Sequence, residues 1–258
     1  MLAAVPIVDA LDPRVDVYRG LRARESADVL WAEGPTVVQR ALAAEVTVQS
    51  VFLTPAALTR LDTQLDTCGA TVFVAEQHVL NEVVGFNLHR GVIAVADRPH
   101  LRSVADVVNG ARRLILLEGL NDPENLGAIA RSARALGADG LVLDPTCADP
   151  YYRRSVRVSM GEILHLPIAR APLAEALQVL DDAGVATWAL TPRRDAAAIG
   201  ALALPERLAL LFGAEGPGLT AAMLERLPNV RIPIRADVDS LNVGHAVAAA
   251  LALTQADH

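Results

Sequence analysis

Residues 121–131 place an amide and a guanidinium six residues apart, at Asn125 and Arg131. The Asn125 amide can donate and accept hydrogen bonds, and the permanently charged Arg131 presents a fork of N–H donors that suits a phosphate. The run follows an apolar strand pattern at 114–118 and leads into a helical pattern at 125–136. Because ligands of parallel α/β sheets bind outside the carboxyl ends of the strands, this turn is a candidate site. Taken alone, the two residues also fit a helix cap and a solvated helix position.

A second candidate is the turn at 211–219, which contains Gly213, Glu215, Gly216 and Gly218. Its glycines lack the G-x-G-x-x-G spacing of a dinucleotide-binding loop, and no acidic residue follows on a second strand at the expected distance. The Glu215 carboxylate would also repel a pyrophosphate. The pattern therefore predicts a turn in which bare backbone meets a ligand without phosphate. The alternative is a plain tight turn with an exposed glutamate.

The third candidate is the stretch at 232–245, where a predicted strand gives way to a polar loop and then to the terminal helix. Ser240 precedes that helix at a position typical of an N-cap, and Asn242 falls in the first predicted turn. A purely structural role as cap and first-turn residue is the alternative for this pair.

Strands and helices alternate regularly from residue 113 onwards, which predicts a parallel sheet covered by helices on both faces. Aromatic residues are only 3% of the chain, so the core must be built from Ala, Val, Leu and Ile, as suits helices on a buried sheet. The predicted strands are 114–118, 140–143, 166–169, 185–190, 207–212 and 230–234, and the predicted helices are 125–136, 153–164, 173–182, 219–226 and 241–256.

The first hundred residues predict a smaller α/β unit. A polar connection with one short helix follows at 97–113. We therefore predict two domains, residues 1–107 and 108–258. In the first, a helix is predicted at 35–44 and strands at 48–54, 70–75 and 91–96, with another short helix opening at Pro55.

Composition narrows the class of protein. Of 258 residues 52% are hydrophobic, which is ample for a core. The net charge of −7 argues against a nonspecific polyanion binder, although local contact with a nucleic acid needs only a basic patch. All 23 basic residues are arginine. Base-composition bias in the source genome explains this, and so does the advantage of arginine in bidentate phosphate contacts; both can hold.

Cys68 and Cys147 are too few for a disulfide framework or a metal cluster, so we expect reduced thiols, no metal and a cytoplasmic protein. The first twelve residues have no basic segment, and Pro6 and Asp9 break their apolar run, which makes a poor signal peptide. No uncharged apolar stretch is long enough to span a bilayer, and we expect no association with a membrane.

Singly, each of the three segments has an ordinary structural interpretation, but together they form an ordered set. The chain has, in this order, Asn-x-x-x-x-x-Arg after a first strand, Gly-x-Glu-x-x-Gly after a later strand, and Ile-Pro…Ser-Leu-Asn-Val before the terminal helix. This set resembles the SpoU/TrmH family of SPOUT RNA methyltransferases, over roughly residues 112–258. Residues 15–98 resemble the substrate-binding domain, related to ribosomal protein L30e, that precedes the catalytic domain in many members. The runs at 32–34 and 89–94 carry this second likeness.

The resemblance implies methyl transfer from S-adenosyl-L-methionine to a ribose 2′-hydroxyl of RNA, in a homodimer whose catalytic domain contains a trefoil knot. S-adenosylmethionine is a ligand without phosphate, as the glycine turn requires. By the same resemblance, Gly213, Ile232 and Leu241 would line the cofactor pocket, largely through backbone groups. The catalytic surroundings would be Asn125, Arg131, Glu215, Ser240 and Asn242.

Two roles for Arg131 remain open. Family proposals make it the base, but an arginine side chain is effectively always protonated. The alternative is that Arg131 holds the adjacent phosphate and stabilises the forming alkoxide, with Glu215 and Asn242 holding Arg131 in place. His245 follows Gly244 where the family commonly has a small hydroxyl residue and then an apolar one. It is either a second candidate base or a histidine with a structural partner.

Ribosomal RNA is the favoured substrate because of the L30e-like front domain, and transfer RNA is the runner-up. A catalytically silent RNA-binding or assembly protein is the alternative of another class. A nicotinamide oxidoreductase would follow from the parallel sheet alone, but the glycine spacing excludes it. Two groups of aromatic and basic residues could stack bases and bind phosphates, or could be solvated helix faces: Tyr18, Arg19, Arg22 and Arg24, and Tyr151, Tyr152, Arg153, Arg154 and Arg157.

Overall fold

The computed structural model describes residues 4–21 and 28–255. The chain divides into two compact units. Unit 1 comprises Met1–Pro99 and Tyr151–His165, and unit 2 comprises His100–Pro150 and Leu166–His258. The division expected after residue 107 differs from this in two ways, because the boundary falls earlier and because an internal segment of the second half belongs to unit 1.

Unit 1 is built on a five-stranded sheet in the order β1-β4-β3-β5-β2. Strands β1, β4 and β3 run parallel, whereas β5 runs antiparallel to both β3 and β2. Strands β1 and β2 and helix α3 are additions to the elements expected from the sequence. The elements are β1 (Ala4–Pro6), β2 (Val29–Glu33), α1 (Pro35–Ala43), β3 (Val48–Leu53), α2 (Pro55–Leu65), β4 (Thr71–Val74), α3 (Gln77–Val84) and β5 (Val92–Asp97).

Tyr18 lies in the core of unit 1 and not on its surface. Its ring is fully buried 5.4 Å from the ring of Phe52, and its hydroxyl is hydrogen-bonded to Ser50 Oγ at 2.7 Å. Burial raises the pKa of Tyr18 above its usual value. Arg19 is paired with Asp16 at 2.9 Å. The predicted base-stacking role of Tyr18 is therefore wrong, and Arg22 and Arg24 lie outside the described residues.

The segment 151–165 contains helix α6 (Arg153–Val158), which ends earlier than the sequence pattern predicted. Met160 and Gly161 both have positive φ angles, 57° and 86°, and so cannot continue a helix. Arg40 donates to the Met160 carbonyl at 2.7 Å and pairs with Glu162 at 2.8 Å. These contacts tie the segment to α1 of the same unit.

Several residues of the second predicted nucleic-acid cluster contact other parts of unit 1, although Arg154 and Arg157 are exposed. Tyr151 is only 5% exposed, beneath the guanidinium of Arg98 at 5.4 Å. Arg153 and Arg157 lie 2.6 Å and 3.7 Å from the two carboxylate oxygens of Glu33. A buried ring cannot stack on a base, so the prediction is wrong for Tyr151, and the two arginines have an acidic partner already.

Unit 2 contains the predicted parallel sheet, with seven strands in the order β10-β12-β9-β11-β6-β7-β8, all parallel. The strands at its centre are buried, apolar runs, as expected where helices cover both faces. The strands are β6 (Arg113–Leu117), β7 (Gly140–Leu143), β8 (Ile168–Arg170), β9 (Ala186–Leu190), β10 (Ala197–Ala198), β11 (Leu208–Phe212) and β12 (Asn229–Arg231), and the helices are α4 (Val104–Val108), α5 (Pro123–Ala135), α7 (Leu173–Asp182), α8 (Ala221–Arg226) and α9 (Val243–Leu253).

Part of the arginine content serves this fold directly. Arg207, just before β11, donates to the carbonyl oxygens of Val108, Ala111 and Ala183 at 2.6, 2.8 and 2.6 Å. It thereby joins the ends of α4 and α7 to the sheet. A lysine has no planar fork with which to reproduce three such bonds. Within 4–21 and 28–255, none of the helices combines the length and the apolar character needed to cross a membrane.

Candidate active site

A cavity of about 410 Å³ opens at the carboxyl ends of β9, β11 and β12. Its walls come from the stretch after β9, the glycine turn after β11 and the long loop between β12 and α9. Six of the eight site residues predicted from the sequence line it: Gly213, Glu215, Ile232, Ser240, Leu241 and Asn242. The other two, Asn125 and Arg131, belong to α5.

Gly213 allows the glycine turn to fold back on itself. A Cβ atom at this position would lie 2.2 Å from the carbonyl carbon of Gly218 and 2.3 Å from the nitrogen of Leu219. The Gly218 N–H donates to the Ala214 carbonyl at 3.0 Å, which closes the turn. Only a residue without a side chain permits this approach of two backbone segments. The turn therefore presents backbone to the cavity, as the sequence predicted.

Asn242 is the N-cap of α9, the position that the sequence gave to Ser240. Its Oδ1 accepts the backbone N–H groups of Gly244 and His245 at 2.9 and 3.4 Å. Its Nδ2 donates to Asn125 Oδ1 at 2.9 Å and to Glu215 Oε1 at 2.6 Å. Both hydrogens and the oxygen of the amide are therefore engaged, and this fixes its orientation.

Asn125 lies in the first turn of α5 and is 8% exposed. The cap of that helix is Asp122, whose Oδ1 accepts the Glu124 N–H at 2.8 Å and whose Oδ2 accepts from Asn125 Nδ2 at 3.1 Å. A chain of hydrogen bonds thus runs from Asp122 through Asn125 and Asn242 to Glu215. It joins the N-termini of α5 and α9 to the glycine turn, and its two carboxylates complement the positive ends of the helix dipoles.

Arg131 has a different environment from the residues it was grouped with. It is exposed on α5, and the six-residue spacing places it roughly 120° around the helix from Asn125. It makes no hydrogen bond or ion pair with any residue in 4–21 or 28–255. Within the described residues, Glu215 and Asn242 bond to each other and do not contact Arg131. The guanidinium fork is open to a ligand from outside this part of the chain.

Ser240 and His245 lie on either side of the Asn242 cap. Ser240 lines the cavity and is exposed. His245 is exposed in the first turn of α9, where its backbone N–H, and not its ring, contacts Asn242. Neither side chain has a hydrogen-bond partner among the described residues. His245 thus lacks the structural partner that was one of its two interpretations.

Two supporting carboxylates were missed from the sequence, although each follows a strand directly. Glu118, after β6, accepts both the N–H and the hydroxyl of Thr220 at 2.8 Å. Asp144, after β7, accepts the backbone N–H groups of Gly119 and Thr146 at 2.7 and 2.6 Å. Burial alone would raise the pKa of Asp144, but hydrogen bonds from Thr146 and Gly119 outweigh it and hold that pKa below its ordinary value.

Cys147 is buried beside Asp144, and burial followed by the nearby carboxylate raises the pKa of its thiol to about 11. Such a thiol stays protonated and is a poor nucleophile and metal ligand at neutral pH. Over residues 4–21 and 28–255, no three His, Cys, Asp or Glu side chains come together as a metal site. The described groups that line the cavity are backbone, apolar side chains, the Asn242 amide, the Glu215 carboxylate and the hydroxyls of Thr191 and Ser240.

Comparison with known proteins matches residues 112–252 to the SpoU rRNA Methylase family. An uncharacterized tRNA/rRNA methyltransferase of Mycobacterium tuberculosis is 46% identical over 260 residues, covering 95% of this chain and 89% of the relative. A 23S rRNA guanosine 2′-O-methyltransferase of Bacillus subtilis is 29% identical and covers 88% of each chain. The crystal structure of an AdoMet-bound rRNA methyltransferase from Sinorhizobium meliloti has a TM-score of 0.81 at 22% identity and covers 97% of each chain.

Proposed function

This chain belongs to the SpoU rRNA methylase family, and we propose that it transfers a methyl group from S-adenosylmethionine to a ribose 2′-hydroxyl of ribosomal RNA. The observation that carries the proposal is that the second and third motifs meet at one cavity, with Gly213, Glu215 and Asn242 in its wall, and that Asn242 is hydrogen-bonded to Asn125 of the first. The relative from Bacillus subtilis, a 23S rRNA 2′-O-methyltransferase, supports both the ribose and the ribosomal substrate.

The cavity suits S-adenosylmethionine in size and chemistry. Its volume of about 410 Å³ is in the range of small-molecule sites. Backbone from the glycine turn and the side chains of Ile232 and Leu241 offer surface for the adenosine, and Glu215 adds one negative charge. A carboxylate favours a cationic ligand over a phosphorylated one. When bound, S-adenosylmethionine supplies a methyl group on a positively charged sulfur, which is a good leaving group.

Arg131 is the proposed reactive-site arginine. The ribose 2′-oxygen gains the methyl group and loses its proton, so negative charge develops there. An exposed guanidinium can bind the adjacent phosphate and stabilise the developing alkoxide, and the proton can leave through that phosphate or a water molecule. Because Arg131 has no partner among the described residues, nothing in this part of the chain competes for its fork.

We also propose that unit 1 is an L30e-like domain that recognises the RNA. The two runs that carry this likeness are neighbours in the sheet, where the Gly34 N–H donates to the Val92 carbonyl at 3.0 Å. Gly34 precedes α1 with a φ of 93°, and a Cβ there would lie 3.6 Å from Arg90 Cδ. Arg90 thus lies beside Gly34, and the exposed His89 and Arg90 are available for phosphate contacts.

The homodimer and the trefoil knot stay predictions. In support of a dimer, every residue of α9 after His245 is apolar, and Leu253 near its end is 49% exposed. A helix that is apolar all round is ordinarily buried. Light scattering of the purified chain at several concentrations would measure the mass directly, and a monomer at micromolar concentration would contradict the dimer.

The deciding experiment incubates the chain with S-adenosylmethionine carrying a labelled methyl group and with separated rRNA and tRNA. Alkaline cleavage then maps the product, because a 2′-O-methyl group blocks cleavage at its own linkage. We expect label in rRNA and a single gap in the cleavage ladder. Label on tRNA alone would favour the runner-up substrate, and label on bases would contradict ribose methylation. RNA binding without transfer would favour the catalytically silent alternative.

Arg131→Ala tests the assignment of the reactive group, with Arg134→Ala as the matched control. Both residues are exposed on α5, and both changes remove one positive charge from the same helix. We expect R131A to lose transfer by about a hundredfold or more while it binds cofactor normally, since loss of one transition-state charge partner typically costs this much. R134A should transfer at close to the wild-type rate. Near-normal turnover by R131A would contradict the assignment.

A further inference from the structure

We propose that Glu118 is a positioning residue for the cofactor site, acting through Thr220 to hold the glycine turn closed. This inference rests on the proposed function, because the turn in question forms a wall of the proposed S-adenosylmethionine pocket. Glu118 does not line the cavity itself. Any effect that it has on the cofactor must therefore pass through the turn at 213–219.

The contact between Glu118 and Thr220 is bidentate. Glu118 Oε2 accepts the Thr220 backbone N–H, and Oε1 accepts the Thr220 hydroxyl, each at 2.8 Å. A carboxylate that accepts two donors from one residue fixes that residue in both position and orientation. Glu118 is itself fixed, because its backbone N–H donates to the Phe212 carbonyl at 2.9 Å. The pair thus connects the end of β6 to the exit of the glycine turn.

The turn needs such an anchor at its far end. Its near end continues from the buried strand β11, but its far end enters α8, a six-residue helix with no fully buried residue. Thr220 is the N-cap of that helix, yet its side chain bonds to Glu118 and not to the helix. Leu219 is buried, and Met223, Leu224 and Leu227 pack on the core of unit 2, but Thr220 itself, at the exit of the turn, is held by the carboxylate of Glu118.

Closure of the turn sets the position of groups that line the cavity. The Gly218 backbone lies against Gly213, and Glu215 between them accepts from Asn242. If the exit of the turn moves, both the backbone wall and the Glu215 carboxylate move with it. We therefore expect loss of the Glu118–Thr220 pair to weaken cofactor binding more than it slows transfer at saturating cofactor.

Isothermal titration of the full chain with S-adenosylmethionine tests this directly. We expect Glu118→Ala, which removes both bonds, to weaken binding about tenfold, and Thr220→Val, which removes only the hydroxyl bond, to weaken it less. The double variant should be little worse than Glu118→Ala alone, since Glu118→Ala already removes the hydroxyl bond that Thr220→Val breaks. Glu118→Gln should recover most of the affinity, because a glutamine can accept the N–H and donate to the hydroxyl oxygen. Glu225→Ala removes an exposed carboxylate from α8 itself and serves as the matched control.

Steady-state kinetics and thermal unfolding separate positioning from a merely structural role. Positioning predicts a KM for cofactor raised about tenfold, with kcat changed less than about threefold and the unfolding midpoint nearly constant. A lower midpoint with unchanged affinity, additive losses in the double variant, or no recovery in Glu118→Gln would each overturn the inference. A wild-type chain that binds cofactor but methylates no RNA would refute the proposed function alone. A wild-type chain that binds no cofactor would refute both.

Discussion

Replacing Asn242 with aspartate separates the two tasks that this one amide performs. Asparagine and aspartate are equally good N-caps, so Asn242→Asp keeps an oxygen to accept the Gly244 N–H. The other half of the side chain changes from a donor to an acceptor. It would then face Asn125 Oδ1 and Glu215 Oε1 at the 2.9 and 2.6 Å now spanned by hydrogen bonds. The cap survives, and the connection from α9 to α5 and the glycine turn does not.

The size of the effect follows from the bonds that are lost. One neutral hydrogen bond contributes about 1 kcal/mol and one to a carboxylate about 1.5–3 kcal/mol. Two carboxylates a few ångströms apart in well-solvated surroundings add about 1 kcal/mol of repulsion. A flip of the Asn125 amide would recover part of this, at the expense of its bond to Asp122. We expect a net loss of about 3 kcal/mol, or roughly a hundredfold in kcat/KM.

Comparison with Asn242→Ala distinguishes the loss of the helix cap from the loss of the hydrogen bonds to Asn125 and Glu215. Alanine loses the cap, at about 1 kcal/mol of stability, but brings no second carboxylate toward Glu215. We therefore expect the aspartate variant to be the more stable of the two, by thermal unfolding, and the less active in methyl transfer. The ratio of aspartate-variant to wild-type activity should rise as pH falls below about 6, because about 1 kcal/mol of repulsion between adjacent carboxylates favours a shared proton by less than one pKa unit, and that proton restores a bond. Near-wild-type activity of the aspartate variant beside an impaired alanine variant would show that Asn242 is only a cap.

Two further predictions concern the frame of the site. Gly213→Ala should cost about 1–3 kcal/mol of stability or cofactor binding, since its Cβ would lie 2.2 Å from the Gly218 backbone. The control is Gly200→Ala, where a Cβ meets nothing within 4 Å, and both variants are compared by cofactor titration and thermal unfolding. Equal behaviour of the two variants would refute the close approach. Asp144 has a lowered folded-state pKa, so the stability it contributes is present above its unfolded pKa of about 3.9 and is lost as pH falls through the folded value. The stability difference between wild type and Asp144→Asn should therefore shrink on acidification below about pH 4, and a difference that is constant from pH 6 to pH 2 would contradict this.

Local patterns predicted most of the elements, because a strand or helix in unit 2 is specified by the periodicity of its own apolar residues. The parallel sheet is confirmed, and helix α7 was predicted at its observed ends. The sequence did not indicate that the segment 151–165 groups with unit 1, because its contacts there, such as Glu33 and Arg40, are more than a hundred residues away. No window of sequence contains both partners of such a contact.

The predictions of the helix caps and of the exposed aromatic residues were wrong for a related reason. The N-caps of α5 and α9 are Asp122 and Asn242, not Asn125 and Ser240. Their hydrogen bonds in the folded structure determine this, and residue preference alone does not. Each of the four residue types is a good cap, so propensity could not decide among them. Tyr18 likewise has arginine neighbours in sequence that suggest RNA contact, but its ring is buried in the core of unit 1.

The order of the strands in the sheet explains which parts of the site the sequence motifs identified and which parts they did not. The three motifs follow β6, β11 and β12, but β9 lies between β11 and β12 in the sheet. The carboxyl end of β9 must therefore supply a wall of the cavity, and it does so through Leu190, Thr191 and Pro192. Nothing in that stretch distinguishes it chemically, because a wall needs only shape. On the other side of β11, Glu118 follows the neighbouring strand β6, and its carboxylate accepts a hydrogen bond from the Thr220 hydroxyl.

The same order separates cofactor binding from transfer. The cavity is complete within unit 2, from the ends of β9, β11 and β12, whereas Arg131 lies on α5 beyond β6 and lines no part of it. Arg131→Ala should therefore leave the Kd for S-adenosylmethionine within about twofold of wild type while transfer collapses. Changes at Gly213 or Glu118 should do the reverse. If R131A instead lost cofactor affinity in proportion to activity, the arginine would belong to the pocket and its proposed contact with the RNA phosphate would be wrong.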